Sequence, residues 1–236
     1  MPSADPRAVP GSGRVGANLR GGEWSATNAV RLRRANRRLA QSLGGELADL
    51  YVASRKTSPR DPYRRTDRTD RTDRTDRQSF LNRLASDIRR PGFAMVIAET
   101  DGLVGCAFGF PVRGDGFWWP GFDGALPRGI EQLAESGSVF AIVDTLVRPH
   151  PRDQDVARRL QERLLTDHRA SLGTTLVDRA DHLTLSALHS WGWLDAGVVW
   201  KSTSATVHRV LVLPLGERAA AKLEGLADDP WTRWPG

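Results

Sequence analysis

The 236-residue chain contains one cysteine, Cys106, two methionines, two tyrosines and three lysines, Lys56, Lys201 and Lys222, among 34 basic residues. A single thiol excludes an intramolecular disulfide and a cysteine-based zinc cluster. The five histidines show no metal-ligand spacing, so no metal is expected. No apolar run approaches the roughly 20 residues that span a bilayer, and the N-terminal residues lack the apolar stretch of a signal peptide, so a cytoplasmic location is expected.

What is present is a chain that is 39% hydrophobic and 26% charged, long enough for one sizeable core with appendages. Its net charge of +6 is unevenly spread. Residues 1–90 carry 20 Lys and Arg against 10 Asp and Glu, whereas residues 91–236 carry 14 against 18 and so sum to −4. The basicity belongs to the front of the chain, and the scarcity of lysine reflects a GC-rich genome as readily as a phosphate-binding surface. A nucleic-acid-associated protein using its basic first third is one functional reading, and salt-sensitive retention would be its mark. Nucleic acid is nonetheless an unfavoured partner, because few of those charges are clustered.

Along the chain, residues 1–22 are rich in Pro, Gly, Ser and Arg without apolar periodicity, the composition of a disordered basic tail. Leu32, Ala35, Leu39, Leu43, Leu47 and Leu50 recur every three or four residues and predict an amphipathic helix over 29–55. Residues 30–33 can also be read as a short strand ahead of it, and Gly44-Gly45 weakens the helix by about 1 kcal/mol per glycine, so a kink or a break is expected there. Residues 66–77 are four copies of Thr-Asp-Arg. With no apolar residue and a period of three they read as a low-complexity linker, although Asp-to-Arg spacings of four favour transient helix. A second helix is predicted over 78–89, with Phe80, Leu81, Leu84 and Ile88 on one face. Two apolar runs, 93–99 and 103–111, flank Thr100-Asp101-Gly102 and read as a β-hairpin. Residues 114–124 hold Phe117, Trp118, Trp119 and Phe122 among glycines and prolines; these rings either wall an acceptor pocket or fold back over the core.

A short helix over 127–136 precedes an apolar strand over 138–147. Strict alternation places Asp144 on one face with Ile142, Leu146 and Arg148, opposite Val143 and Val147. A carboxylate inside FAIVDTLV needs a reason, since an unpaired buried charge is costly. The strand breaks at Pro149 and Pro151, turns through a polar loop and enters a helix with Ala157, Leu160, Leu164 and Leu165 at helical spacing. Such a strand, turn and helix N-terminus offers free backbone N–H groups to phosphate oxygens. Further on, 173–178 is a strand, 183–191 a helix, and 195–201 and 208–214 the last strands. Residues 216–236, with Trp231 and Trp234, read as a C-terminal tail that docks on the body or pairs with another copy; a homodimer is one expectation.

The stretch LVRPHPRDQDVARRL resembles motif A of the GCN5-related N-acetyltransferase superfamily, with Val147, Pro149, Arg152 and Ala157 in register. LVDxADxxxxSALxxWGW resembles the superfamily's motif B, and segments such as RPGFAMVIA and FWW look like its actinobacterial members. The resemblance implies an α/β (α+β) fold, a mixed and mostly antiparallel central sheet flanked by helices with splayed central strands, over a single domain of residues 23–215. It also implies acetyl-coenzyme A as cosubstrate and a primary amine, small molecule or peptide, as acceptor. The implied coenzyme contacts are Leu146, Val147, Arg152, Asp153, Gln154, Asp155, Val156, Ala157 and Arg158, and Asp144 takes the place of the general base. Trp118 and Trp119 are the pocket candidates.

Three positions depart from the motifs, the first being Asp181, which holds the place of the motif B asparagine. Asp155 stands at the first motif glycine, and a carboxylate about 6 Å from a phosphate at an effective dielectric near 20 opposes binding by roughly 3 kcal/mol, on the order of a hundredfold. Leu188 stands where the superfamily has a tyrosine that protonates the departing thiolate, and leucine has no proton to give. His189 and Ser190 are the nearest replacements in sequence, so His189 joins the catalytic candidates. A catalytically decayed member that survives as a binding or interaction module is the alternative function.

Overall fold

The computed structural model describes residues 29–56, 66–112, 118–149, 155–201 and 206–223. The elements run β1 (Arg31–Ala35), α1 (Arg37–Ser42), α2 (Gly44–Lys56), α3 (Thr66–Ile88), β2 (Ala94–Glu99), β3 (Leu103–Val112), α4 (Arg128–Glu135) and β4 (Val139–Val147), then α5 (Val156–Asp167), β5 (Leu172–Asp178), α6 (His182–Ser190), β6 (Leu194–Lys201), β7 (Thr206–Pro214) and α7 (Glu217–Lys222). The seven strands form one sheet in the order β1-β2-β3-β4-β5-β7-β6. Every neighbouring pair is antiparallel except β4–β5. That single parallel pair follows from the α5 crossover, which returns the chain to the same end of the sheet. This is the mixed, mostly antiparallel sheet flanked by helices that the sequence led us to expect.

Side-chain alternation divides the core between the two faces. Met95, Ile97, Cys106, Phe108 and Leu146 meet Leu47, Tyr51, Phe80, Leu84 and Ile88 from α2 and α3. Phe110, Val112, Ala141 and Val210 continue the same face against Ile130 and Leu133 of α4 and Ala219 of α7. On the other face Val96, Val104, Phe140 and Ile142 pack against Leu160, Leu164 and Leu165 of α5 and Leu185 and Leu188 of α6. Among the described residues no helix is long and apolar enough to cross a membrane.

Four local expectations change. In place of one helix over 29–55 the segment is a strand followed by two helices, as the alternatives of a short strand and a break at the glycine pair had it. Asn36 caps α1 by accepting from the Leu39 amide at 2.9 Å, and the helix breaks at Leu43, immediately before Gly44-Gly45. The Thr-Asp-Arg repeat, expected as a linker, is the first half of α3, continuous with the helix predicted from Gln78. Its end is anchored, since Arg77 donates to Asp49 at 2.8 Å and to the Gly45 carbonyl at 3.3 Å. A segment with no apolar residue thus becomes helix by growing from a buried nucleus at Phe80, Leu84 and Ile88, where elongation is cheap. The C-terminal tail from 216 begins with α7, and Ala219 and Leu223 lie in the core at 2% and 4% exposure; Trp231 and Trp234 fall outside the described residues, as do residues 1–28.

The fourth change concerns β4. The β3–β4 register runs Phe108↔Asp144 and then Gly109↔Ile142, so Val143 is an extra residue without a partner in β3. This bulge breaks strict alternation. Ile142 packs with α5, while Asp144, opposite Phe108, shares its face with Leu146 toward α2 and α3. Val143 packs on that same face, so Val143 and Asp144 do not alternate as the sequence suggested. Gly109 makes the bulge possible, since a Cβ there would lie 1.8 Å from the Ala141 carbonyl oxygen.

At the sheet edge, Arg34 of β1 and Arg163 of α5 converge on Asp167, with N···O distances of 2.6 and 3.0 Å. Hydrogen bonding from Arg34 outweighs burial and, with Arg163, holds the Asp167 carboxyl below the ordinary aspartate range.

Gly109→Ala is expected to lower the unfolding free energy by about 2–4 kcal/mol in denaturant titration, because backbone must move to admit the methyl. Gly45→Ala, whose Cβ would meet only Arg77 at 3.5 Å, should instead add about 0.5–1 kcal/mol. Asp167→Asn should cost at most about 1 kcal/mol at neutral pH, because both arginines are largely exposed and water screens the pairing. A carboxyl with a depressed folded pKa stabilises above its unfolded pKa and loses that contribution as pH falls through the folded value, so wild type and variant should converge below about pH 4.

Candidate active site at the parting of β4 and β5

The parallel ladder between β4 and β5 ends early. Its last pair is Ile142↔Thr175, although β4 continues to Val147 and β5 to Asp178. Thr175 closes the ladder by donating its hydroxyl to the Ile142 carbonyl at 3.0 Å. Beyond that point β5 stays with β7 and β4 with β3, so the two central strands part. The parting begins beside the Val143 bulge. A strand edge from which its neighbour has withdrawn presents amide and carbonyl groups to an extended ligand, as a missing strand would fill it.

The predicted contact residues distribute around this opening. Val147 is half-buried against the α5 side, and Leu146 is 4% exposed in the core beneath α2 and α3. Arg152, Asp153 and Gln154 lie outside the described residues. Asp155 is the N-cap of α5, exposed, and its side chain accepts no capping hydrogen bond. Val156 is 2% exposed and packs in the core, Ala157 is half-buried, and exposed Arg158 pairs with Glu162 at 2.7 Å. The α5 N-terminus therefore offers backbone N–H groups and the positive end of a 12-residue helix, opposed by the Asp155 charge. One residue the sequence reading missed is Gln161, 6% exposed, whose Nε2 donates to Thr145 Oγ1 at 3.1 Å across from α5 to the parted length of β4.

The motif B candidates sit elsewhere. Asp181 caps α6, accepting from the Thr184 amide at 3.2 Å and hydroxyl at 2.9 Å, which gives this position a local structural task. Leu188 is 3% exposed in the core. His189, at the end of α6, faces Asp195 of β6 at 3.1 Å, and Asp195 also receives Arg209 at 2.9 Å. Strand β6 is the sheet edge, separated from β4 by β5 and β7. Asp144 faces α2, so the structure does not bring Asp144 and His189 together.

Trp118 and Trp119 fold back toward the sheet. Trp118 Nε1 donates to Thr174 Oγ1 at 3.3 Å and its ring meets Phe110 edge-on at 5.9 Å. Trp119 is perpendicular to Phe122 at 6.4 Å, and Phe122 bridges to Val199 of β6. The two rings are half-buried on the α4 side. Among the described residues no group of three or more His, Cys, Asp or Glu side chains is placed to hold a metal ion.

A polar cluster that sequence reasoning did not find lies on the Asp144 side. Tyr51 stacks on Phe80 with centroids 4.7 Å apart, and Phe80 meets Phe108, the strand partner of Asp144, edge-on at 6.4 Å. Arg55 Nη1 donates to the Tyr51 hydroxyl, and the Arg55 and Arg83 guanidinia each lie 5.3 Å from the Tyr51 ring centroid. The i, i+4 spacing of Tyr51 and Arg55 was its only sequence signal.

No family model matches the sequence, and no curated protein matches it either. Solved structures do. The PaiA N-acetyltransferase from Thermoplasma acidophilum, solved with coenzyme A, superposes with a TM-score of 0.50 at 10% identity over 79% of this chain and 99% of that one. The GNATL loading domain of CurA from Lyngbya majuscula gives 0.49 at 12% identity over 79% and 98%. Aminoglycoside acetyltransferase AAC(6')-Ib with coenzyme A and kanamycin gives 0.49 at 15% over 84% and 100%. The chain has the fold of the GCN5-related N-acetyltransferases.

The lone thiol is not part of this chemistry. Cys106 is 0% exposed, and burial, reinforced by the Asp144 charge, pushes its pKa far above the ordinary thiol range. Native protein should therefore resist iodoacetamide at neutral pH, and mass spectrometry should find one added carbamidomethyl group only after denaturation.

Proposed function

We propose that this protein is an acetyl-coenzyme A-dependent N-acetyltransferase acting on a primary amine. The observation that carries the proposal is the parting of β4 from β5 at Ile142↔Thr175, beside a bulge that turns Asp144 toward α2. The fit to the coenzyme is favourable at the strands and mixed at the helix. The β4 edge over Val143–Val147 suits an extended amide-bearing arm, and the α5 N-terminus with Val156, Ala157 and Arg158 suits phosphate oxygens. Asp155 opposes them with its charge, and glycine's close backbone approach is lost there. When bound, the cosubstrate supplies a thioester acyl group.

In this proposal Asp144 accepts the proton of the acceptor ammonium, directly or through water, the freed amine adds to the acyl carbon, and the carbon–sulfur bond then breaks so that the coenzyme would leave as a thiolate that takes its proton from water. A β4 amide such as that of Val147 holds the charge that develops on the acyl oxygen. The acceptor is a small molecule or a peptide that approaches from the α2–α3 side. A second reading, a module of this fold that binds without turnover, draws on Leu188, whose burial leaves no proton donor at that position.

Calorimetric titration with acetyl-coenzyme A is expected to be saturable, and Asp144→Asn should keep binding while lowering transfer to an amine panel by roughly 10²–10⁴-fold. Saturable binding with no product from any amine would favour the second reading. A flat titration at millimolar ligand would contradict the proposed enzyme.

A further inference from the structure

Where β4 and β5 part, α5 still lies over them. Leu160 leans to the β3 side of the helix, since a Cβ added to Gly105 would come within 3.1 Å of its Cδ1. Leu165 leans to the β5 side, since a Cβ on Gly173 would lie 2.9 Å from its Cδ1. Gln161 stands one turn before Leu165 on the same face, so it too is directed to the β5 side. Gly173 still belongs to the parallel ladder, opposite Phe140 of β4. Gln161 bonds instead to Thr145, beyond the last ladder pair at Ile142↔Thr175. It therefore overhangs the length of β4 from which β5 has withdrawn.

Gln161 is 6% exposed, and a buried amide has two ends to satisfy. Its Nε2 donates to Thr145 Oγ1 at 3.1 Å, whereas Oε1 is shut off from solvent and finds no hydrogen-bond partner among the described residues. Turning the amide over would only exchange the ends, because Thr145 offers a single hydroxyl. The neighbouring positions on this side of α5, Leu160, Leu164 and Leu165, are apolar and carry no such cost. An unpaired acceptor at the open strand edge is stabilised once a ligand brings it a donor.

We propose that Gln161 is a ligand-binding residue: its Oε1 accepts an N–H from the amide-bearing arm of the cosubstrate laid along the vacated edge of β4, and Thr145 holds the side-chain amide in place. This rests on the acetyltransferase reading of the site. The β4 backbone recognises any extended chain, whereas Gln161 selects one with an amide N–H at this level. Because Oε1 is already out of water, the new bond is made without giving up a water partner.

Gln161→Met keeps the length of the side chain and removes both polar atoms. In full-length protein it should melt at an unchanged or higher temperature, since a buried unpaired oxygen is gone. Calorimetric titration should show acetyl-coenzyme A bound about five- to tenfold more weakly than by wild type. Adenosine 3′,5′-bisphosphate, which has the nucleotide end without the arm, should bind both proteins alike. In wild type carrying carbon-13-labelled glutamine, the Gln161 side-chain carbonyl resonance, assigned by its loss in Gln161→Met, should move with acetyl-coenzyme A and stay in place with the bisphosphate. Unchanged affinity for acetyl-coenzyme A in the variant, or a loss shared equally by the two probes, overturns the role of Gln161 and leaves the acetyltransferase reading standing. If acetyl-coenzyme A binds neither protein, both fall.

Discussion

The structure depends on one interrupted ladder. Two parallel strands at the centre of a seven-stranded sheet bond for four residue pairs and then part, while each keeps its antiparallel partner on the other side. An opening in mid-sheet is expensive, because backbone groups that leave a ladder must find other partners. Here both faces of the sheet are buried under helices, so the two strands are held apart by packing on either side. The extra residue at Val143 adds local twist at the place where the strands separate, and Gly109 lets the neighbouring backbone close over it.

From that constraint the division of labour follows. The α5 side of the opening is built from backbone and helix dipole, with Thr145 and Gln161 bonded across it. The α2–α3 side is built from side chains, with Asp144 on the sheet face that Tyr51 and Phe80 cover. One face thus suits a ligand recognised by its amide and phosphate groups, and the other a ligand recognised by charge. The bulge joins the two.

Much of this was legible in the sequence because short-range signals dominate there. The Asp101-Gly102 turn fixed the hairpin of β2 and β3, and the alternation of apolar residues placed β4, β5 and β7 nearly to the residue. The parts that were not legible depend on distant contacts. The bulge arises because Gly109 meets Ala141 across the ladder, and alternation within β4 alone gives no sign of it. The Thr-Asp-Arg repeat looked unable to fold because it has no apolar residue, yet Arg77 reaches Asp49 and Gly45 on another helix. Asp181 and Leu188 looked like motif losses, and in the structure one caps α6 and the other fills the core. Asp144 was read as the candidate general base, and the Tyr51 and Phe80 rings that cover its face of the sheet come from far earlier in the chain, where spacing carries no information about it.

The central claim is that the β4 edge past Ile142 is a binding surface. Amide hydrogen exchange of Val143–Val147, with and without saturating acetyl-coenzyme A, addresses it most directly. Those amides that point toward β5 should exchange quickly in the free protein and slow by at least tenfold when ligand is added, while the β3-bonded amides of the same strand stay protected throughout. Amides equally protected in both states, with exchange unaltered by ligand, would contradict the account.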